Sequence, residues 1–407
     1  MKGNVIVGQS GGPTAVINAS LAGVFKTAKD NGCEKVYGML NGIEGLCNGK
    51  YVDMSEYIHS NLEIELLKRT PASFLGTCRY KLPTPDSNED IYINIFKTLK
   101  KLDIKYFFYI GGNDSMDTIM KLSQYADKIG SDIRFIGVPK TIDNDLDMTD
   151  HTPGYGSAAK YIATAMKEII CDAKTYSTES ITIVEIMGRN AGWLTAAASL
   201  SKCEDCSGPD LIYLPEKVFD HDNFLKRIEE LKKDRKVVTV AVSEGVKMHD
   251  GRYVCEANKK NTVTDAFGHK LLGGTAMYLS DFLMETTGIK SRGIVFSTLQ
   301  RCASHMVSRR DITEAHMAGA DAVVSALNGH TGKMIVFKRL SNDPYSLISD
   351  SCDIEKIANK EKTVPLEWIT EDGANVTAAF ESYARPLIIG ELSPFMVDGL
   401  PRHLFIE

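Results

Sequence analysis

The sequence predicts an α/β protein built on parallel sheets with helices on both faces. Strand-like apolar runs alternate with helical patterns along most of the 407 residues, and this βαβ alternation is typical of parallel sheets. Glycine-rich or polar turns follow several of the strand-like runs, at the sheet edge where open α/β folds bind ligands. A hydrophobic content of 43% provides enough apolar residues for a large core.

The individual elements follow from the spacing of apolar residues. Short β-branched or aromatic runs predict buried strands, whereas apolar residues that recur every three to four positions predict helices. The predicted strands are residues 5–7, 35–39, 106–110, 135–138, 181–186, 211–214, 237–242, 293–297 and 333–338. The predicted helices are residues 15–30, 158–173, 191–201, 224–233, 275–285 and 312–326.

The length of the chain predicts more than one domain. The sequence Pro-Gly-Tyr-Gly at 153–156 interrupts the pattern, which places a boundary near residues 145–155. We therefore expect a first α/β domain over residues 1–145 and a second over 146–340, with the chain crossing between the two. The less regular stretch over 341–407 is expected to close on the core.

Composition excludes several classes of partner. A formal net charge of −6 with scattered charges argues against nucleic acid and anionic membranes. The chain starts directly with a strand-like run and has no apolar stretch near the ~20 residues of a membrane span, so neither a signal peptide nor a membrane anchor is expected. Nine scattered cysteines are typical of a reduced, cytoplasmic protein. The isolated pair Cys203 and Cys206 lacks the second pair that a zinc site needs.

Two loops carry residue types that phosphoryl transfer requires. Residues 111–115 (Gly-Gly-Asn-Asp-Ser) and 139–145 (Pro-Lys-Thr-Ile-Asp-Asn-Asp) each follow a predicted buried strand. Asp143 and Asp145 offer proton acceptors, and Lys140 offers a fixed positive charge. Because phosphoryl transfer needs positioning, charge neutralisation and a base, a kinase-like enzyme is the first hypothesis. The alternative is that Asp143 only caps the following turn.

A third loop, residues 8–14, lies between the first strand and the first helix. Its glycines and the positive end of the helix dipole form a cradle for an anion. The loop is neither a Walker motif nor the dinucleotide-binding G-x-G-x-x-G. Taken alone, it is equally well explained as a tight turn.

Four further short motifs follow in order: G-T-C-R at 76–79, M-G-R at 187–189, S-E-G at 243–245 and L-Q-R at 299–301. Together with the three loops, they resemble the phosphofructokinase family over nearly the whole chain, and within it the pyrophosphate-dependent branch. The resemblance implies two Rossmann-like three-layer domains with mainly parallel sheets and an active site in the cleft between them. The first domain would bind the phosphoryl donor and the second the sugar phosphate. A homodimer or homotetramer is also implied.

The resemblance further implies roles for single residues. Asp143 would be the general base toward the C1 hydroxyl of fructose 6-phosphate, and the other catalytic residues would be Lys140, Asp114 and Arg189. The implied sugar-phosphate ligands are Thr141, Asp145, Met187, Gly188, Glu244, Arg292, Thr298 and Arg301. The implied donor ligands are Gly11, Gly12, Arg79, Gly112 and Ser115. Thr298 departs from the histidine or tyrosine that many relatives carry.

The choice of donor depends on Asp114 and Lys140. ATP-dependent relatives usually have glycine at both positions, and a carboxylate at 114 would repel the α-phosphate of ATP. We therefore expect inorganic pyrophosphate as the donor. Mg²⁺ is the implied cofactor, with Asn113 standing where many relatives have an aspartate ligand. Two alternatives stay open: ATP as the donor, or a non-catalytic regulatory subunit of the same family.

Overall fold

The computed structural model describes residues 2–257 and 272–406. The strands are β1 (Asn4–Gln9), β2 (Val36–Met39), β3 (Tyr51–Asp53), β4 (Ile104–Gly111), β5 (Arg134–Pro139), β6 (Ser180–Ile186), β7 (Leu211–Tyr213), β8 (Val237–Ser243), β9 (Ser291–Val295), β10 (Lys333–Asn342), β11 (Tyr345–Asp353), β12 (Met396–Val397) and β13 (Leu400–Pro401). The helices are α1 (Ile17–Asp30), α2 (Gly42–Cys47), α3 (Asn61–Arg69), α4 (Glu89–Lys101), α5 (Asn113–Lys128), α6 (Tyr155–Lys174), α7 (Trp193–Ala196), α8 (His221–Lys232), α9 (Thr275–Thr287), α10 (Leu299–Cys302), α11 (Arg309–Leu327) and α12 (Ala378–Ala384).

Seven strands form the larger sheet, in the order β11-β10-β5-β4-β1-β2-β3. Its central strands run parallel, whereas the edge strands β3 and β11 run antiparallel to their neighbours. Alternate residues of the central strands pack toward α1 and α11 on one face and toward α4 and α5 on the other. Burial on both faces explains why these strands are nearly continuous apolar runs.

Four parallel strands form the second sheet, in the order β7-β8-β6-β9. Helices α8 and α9 pack on one face, and α6, α7 and α12 pack on the other. The two sheets and their helix layers confirm the expected α/β class with two three-layer, mainly parallel units.

The division between the two sheets does not coincide with the expected boundary at residue 340. Strand β10 extends the seven-stranded sheet beside β5, and β11 pairs with β10. Helix α11 packs against α1 in the core of the half built on this sheet, which we call the first half; the second half is built on the four-stranded sheet. The expected boundary therefore cuts through β10 and groups α11 with the second half. Strand β11 was missed because it is a half-exposed edge strand with Ser346, Ser349 and Asp350 along it, and it lacks an apolar run.

The C-terminal segment predicted over 341–407 is consequently divided between the two halves. After β11, the chain crosses to the second half, where Val364, Ile369, Phe380 and Leu387 join the core beneath α6. The predicted helix over 191–201 is also shorter than expected, since α7 continues as a 3-10 turn at Ala197–Ser201. Among the described residues, no helix is both long and apolar enough to cross a membrane.

Candidate active site

The carboxyl ends of both sheets face a cleft of about 420 Å³. The loops after β1, β4 and β5 reach it from the first sheet, and the loops after β6 and β8 reach it from the second. Most of the predicted site residues line this cleft: Gly11, Gly12, Arg79, Gly112, Asn113, Asp114, Ser115, Lys140, Thr141, Asp143, Asp145, Met187, Arg189, Glu244 and Arg301. The structure thus brings together residues that lie up to 290 positions apart in the sequence, which is the separation between Gly11 and Arg301.

Lys140 is a buried cation at the floor of the cleft. Lys140 directly follows β5, and its backbone N–H donates to the Gly111 carbonyl at 3.1 Å. Its Nζ donates to the Gly12 carbonyl at 2.8 Å. Only 3% of the residue is exposed. Burial lowers the pKa of Lys140 to about 8, while the carboxylates of Asp143 and Asp145 act in the opposite direction. The ammonium group is therefore still charged at neutral pH.

Asp143 is the carboxylate next to this cation. The Asp143 N–H donates to Thr141 Oγ1 at 3.1 Å, which folds the loop back on itself after β5. Burial raises the pKa of Asp143, and the positive charges of Lys140 and Arg189 lower it. A carboxylate with a raised pKa is a stronger proton acceptor than a solvated one, which suits a general base.

A second carboxylate of this loop, Asp145, also lines the cleft. Burial, together with the negative charges of Asp143 and Glu361, raises the pKa of Asp145 to about 7. Near neutral pH, Asp145 is thus partly protonated, which limits its repulsion of Asp143.

The N-terminus of α5 provides the next group of site residues from the first half. Gly112 precedes the helix, and Asn113 and Asp114 occupy its first turn. The Asn113 Oδ1 atom is buried and has no hydrogen-bond partner among the described residues. An unsatisfied buried carbonyl oxygen beside a carboxylate provides hard oxygen ligands of the kind that Mg²⁺ prefers. Asn113 is therefore the side chain that fits a Mg²⁺ ion accompanying phosphate groups.

The second half contributes residues after β6 and β8. Gly188 adopts φ +146°, and a side chain there would approach the Ala191 carbonyl to 2.7 Å, so this turn requires glycine. The Gly188 N–H points at Glu244 Oε1 at 3.4 Å. Burial raises the pKa of Glu244 to about 7. Gly188 itself shapes the turn between Met187 and Arg189 and does not line the cleft.

Two further predicted residues, Arg292 and Thr298, also lie outside the cleft lining. Arg292 is on the edge strand β9, and its guanidinium contacts Thr182 Oγ1 at 3.3 Å and Asp172 at 3.4 Å. Its side chain is 44% exposed. Thr298 precedes α10 and is exposed. Within this chain, Arg301 is the arginine of this region that reaches the cleft.

Arg301 approaches the donor loop from the opposite half. A Cβ atom on Gly12 would lie 3.1 Å from the Arg301 guanidinium, and one on Gly11 would lie 3.3 Å from Lys140 Nζ. The two glycines therefore let two cations approach the same backbone. A side chain at either position would occupy space between these cations, where an anion fits.

Several cleft residues were missed from the sequence: Ser10, Pro13, Ile142, Asn190, Ala191, Leu272 and Glu361. Asn190 Nδ2 donates to both carboxylate oxygens of Glu361, at 3.0 and 3.1 Å. Most of the missed residues adjoin a recognised motif, so proximity in the chain was an available signal. Glu361 had no such signal because it reaches the cleft only through the crossing of the C-terminal segment.

The cleft combines cations that can bind phosphate with a similar number of carboxyl groups. The lining carries four cations, Arg79, Lys140, Arg189 and Arg301, and five carboxyl groups, Asp114, Asp143, Asp145, Glu244 and Glu361. Since Asp145 and Glu244 have pKa values raised to about 7, part of the negative charge is neutralised near neutral pH. The arginines suit bidentate contacts with phosphate.

Comparison with known proteins agrees with this geometry. Residues 4–325 match the family model described as Phosphofructokinase. The chain is 40% identical over 403 residues to the pyrophosphate–fructose 6-phosphate 1-phosphotransferase of Halomonas elongata, covering 98% of this chain and 95% of that protein. It is 40% identical over 405 residues to the protein of the same name from Methylococcus capsulatus, with the same coverage.

A similar fold is present in a solved structure. The crystal structure of the pyrophosphate-dependent phosphofructokinase from Marinobacter aquaeolei matches with a TM-score of 0.88 and 37% identity. The match covers 98% of this chain and 95% of that one. On the family match and on these relatives, the chain belongs to the phosphofructokinase family.

Proposed function

We propose that this protein transfers a phosphoryl group from inorganic pyrophosphate to the C1 hydroxyl of fructose 6-phosphate, reversibly. The products are fructose 1,6-bisphosphate and phosphate, as in glycolysis and gluconeogenesis. The observation that carries the proposal is the presence of Asp114, Lys140 and Asp143 in one cleft. The names of the curated relatives support the same reaction.

The chemical step assigns Asp143 as the general base. Asp143 takes the proton of the C1 hydroxyl while that oxygen attacks the terminal phosphorus of pyrophosphate. A new P–O bond to the sugar forms, the bond from this phosphorus to the bridging oxygen breaks, and phosphate leaves with the electron pair. Lys140 and Arg189 stabilise the negative charge on the transferred group and on the leaving phosphate.

The sugar phosphate is assigned to the second half of the cleft. Arg301 binds the 6-phosphate, while Glu244 and Met187 bind the sugar, with Thr141 and Asp145 facing it from the first half. Gly188 acts on sugar binding only through the turn that presents Met187. Arg292 and Thr298 are exposed and lie outside this chain's cleft, so a phosphate contact by Arg292 would have to be made to another copy. A homodimer or homotetramer is part of the proposal on the family resemblance.

The donor is assigned to the first half of the cleft. Gly11, Gly12, Gly112, Ser115 and Arg79 surround the position proposed for pyrophosphate. A carboxylate at Asp114 facing an α-phosphate at ~4 Å would cost about 4 kcal/mol at an effective dielectric constant near 20. This corresponds to roughly a thousandfold loss in ATP affinity. Pyrophosphate consists only of the transferred phosphoryl group and the leaving phosphate. It has no third phosphate to face Asp114, so it avoids this repulsion.

Mg²⁺ is proposed to accompany pyrophosphate. The residue that would hold it is Asn113, through its unsatisfied Oδ1. The ion would neutralise charge on the donor oxygens, and water and phosphate oxygens would complete its coordination, because Mg²⁺ usually keeps few protein ligands. A cytoplasmic location is proposed from the nine cysteines, all of which are free thiols.

The proposal is tested first by comparing donors. The purified chain would receive fructose 6-phosphate, Mg²⁺ and either pyrophosphate or ATP at matched concentrations, and fructose 1,6-bisphosphate would be measured. We expect turnover with pyrophosphate to exceed turnover with ATP by at least about a hundredfold, in line with the estimated repulsion. A preference for ATP would contradict the donor assignment, and inactivity with both donors would favour the regulatory-subunit alternative.

Replacing Asp143 tests the base. The Asp143→Ser variant should lose about four powers of ten in turnover, the upper range for removing a general base, while fructose 6-phosphate still binds. Turnover would be measured from initial rates, and sugar-phosphate binding by calorimetry. A variant that keeps turnover within tenfold of the parent would exclude Asp143 as the base.

Replacing Asp114 tests donor selection. The Asp114→Gly variant should use pyrophosphate less well and gain measurable use of ATP, because the repulsive carboxylate is removed. Asp222→Gly is a matched control, since Asp222 occupies the same position in the first turn of α8 but is exposed and outside the cleft. If Asp114→Gly and the control show the same donor preference as the parent, Asp114 does not select the donor.

The pH dependence tests Lys140. Lys140 is charged below its pKa of about 8, so kcat/KM for pyrophosphate should fall as pH rises through that value. Lys140→Arg keeps its charge over this range and should lose this fall, even if its overall activity is lower. Lys362 is the control, because burial also lowers its pKa to about 8 and it lies outside the cleft lining. If Lys362→Arg abolished the fall of kcat/KM at alkaline pH and Lys140→Arg did not, the role assigned to Lys140 would be contradicted.

A further inference from the structure

Asn144 separates the two carboxylates of the catalytic loop and is held in an unusual conformation. Its φ of +54° lies in the left-handed region, which residues other than glycine rarely adopt. The residue is completely buried. Its Nδ2 donates to the Tyr383 hydroxyl at 2.9 Å, and its Oδ1 accepts from the Thr152 N–H at 3.0 Å. These side-chain bonds hold the turn that directs Asp143 and Asp145 toward the cleft.

The Tyr383 side chain is held by several contacts besides Asn144. Its hydroxyl donates to the Asp150 carbonyl at 2.7 Å while accepting from Asn144. The Tyr383 ring packs against Trp193 and Trp368 at centroid distances of 5.4 and 5.2 Å. The Arg339 guanidinium lies 4.6 Å above the ring and donates to the Tyr383 carbonyl at 2.7 Å. Packing from several elements therefore sets where the hydroxyl lies.

We propose that Tyr383 is a positioning residue for phosphoryl transfer, acting through Asn144 on the orientation of Asp143. This inference rests on the proposed function. Tyr383 lies on α12, beyond residues 4–325 that match the family model, and outside the cleft lining. It contributes no group to the reacting atoms; its hydroxyl supplies the hydrogen bond that keeps the Asn144 turn in one conformation.

The expected consequence is kinetic as well as structural. Without the Tyr383 hydroxyl, the buried Asn144 amide loses its acceptor, and the strained backbone loses one of the two side-chain bonds that hold it. Rotation of this turn moves the Asp143 carboxylate, and a displacement near 1 Å can lower a rate by roughly a hundredfold. Arg301 and Glu244, which bind the sugar phosphate from the second half, lie outside this turn, and of the proposed sugar ligands only Thr141 and Asp145 are near it. We therefore expect kcat to change far more than KM.

Tyr383→Phe isolates the hydroxyl, because phenylalanine keeps the ring contacts. Tyr213→Phe is the matched control: Tyr213 is equally buried, in the core beneath α8, and its hydroxyl has no partner among the described residues. We expect Tyr383→Phe to lower kcat with pyrophosphate by roughly ten- to a hundredfold, with KM for fructose 6-phosphate within about threefold. Amide hydrogen exchange across residues 141–152 should be faster than in the parent, and Tyr213→Phe should change neither quantity.

A double variant checks the route through Asn144. Asn144→Gly permits the left-handed conformation but removes both side-chain hydrogen bonds, so it should show the same loss of kcat. Because both changes act on one turn, the double variant Asn144→Gly with Tyr383→Phe should be no slower than Asn144→Gly alone. Multiplied losses of kcat would show that Tyr383 acts elsewhere and would overturn the inference.

The remaining outcomes separate this inference from the proposed function. Unchanged exchange at residues 141–152, or faster exchange without a change in kcat, would overturn the positioning role in an otherwise active enzyme. A parallel rise in KM would indicate a general loss of structure and would also overturn it. A parent protein that fails to turn over with either donor would contradict the proposed function itself, and the inference would fail with it.

Discussion

The hydrogen bond from Lys140 to the Gly12 carbonyl is the contact around which the donor side of the cleft is arranged. A buried ammonium is costly unless it is hydrogen-bonded and close to opposite charge. The carbonyl of the first loop supplies the bond, and Asp143 and Asp145 supply the charge. Because β4 lies between β1 and β5 in the sheet, all three loops meet at one edge. Parallel pairing of these strands therefore makes the contact possible.

The same burial sets the electrostatic balance of the whole cleft. It raises the pKa of Asp145 and Glu244 to about 7 and lowers that of Lys140 to about 8, so each group carries less charge than it would in water. The arginines of the cleft add guanidinium groups whose planar geometry suits phosphate. The cleft thus loses negative charge more readily than positive charge near neutral pH. Such a site binds two phosphorylated ligands without a strongly basic protein surface.

Much of this could be predicted from sequence because the motifs directly follow buried strands. Residues 111–115 and 139–145 end β4 and β5, so parallel pairing alone places them together, as the structure shows. The sheets divide elsewhere than at residue 340 because β10 pairs with β5 after a chain crossing, and β11 escaped prediction because it is a half-exposed edge strand without an apolar run. Glu361, which lines the cleft, and Tyr383, which contacts Asn144 behind it, were missed because the C-terminal segment brings them there by a chain crossing, which leaves no local pattern.

Those crossings also bear on how the cleft keeps its geometry. Residues 141–154 and the segment around Glu361 pass between the halves side by side, joined by the bridge of Leu146 with Glu361 and by the Lys362 N–H donating to the Asp145 carbonyl at 2.8 Å. Two paired connections resist twisting better than one. Asp145 and Glu361 both line the cleft from this paired connection. The backbone contacts between the two segments therefore fix the separation of these two carboxyl groups, on which the raised pKa of Asp145 in part depends.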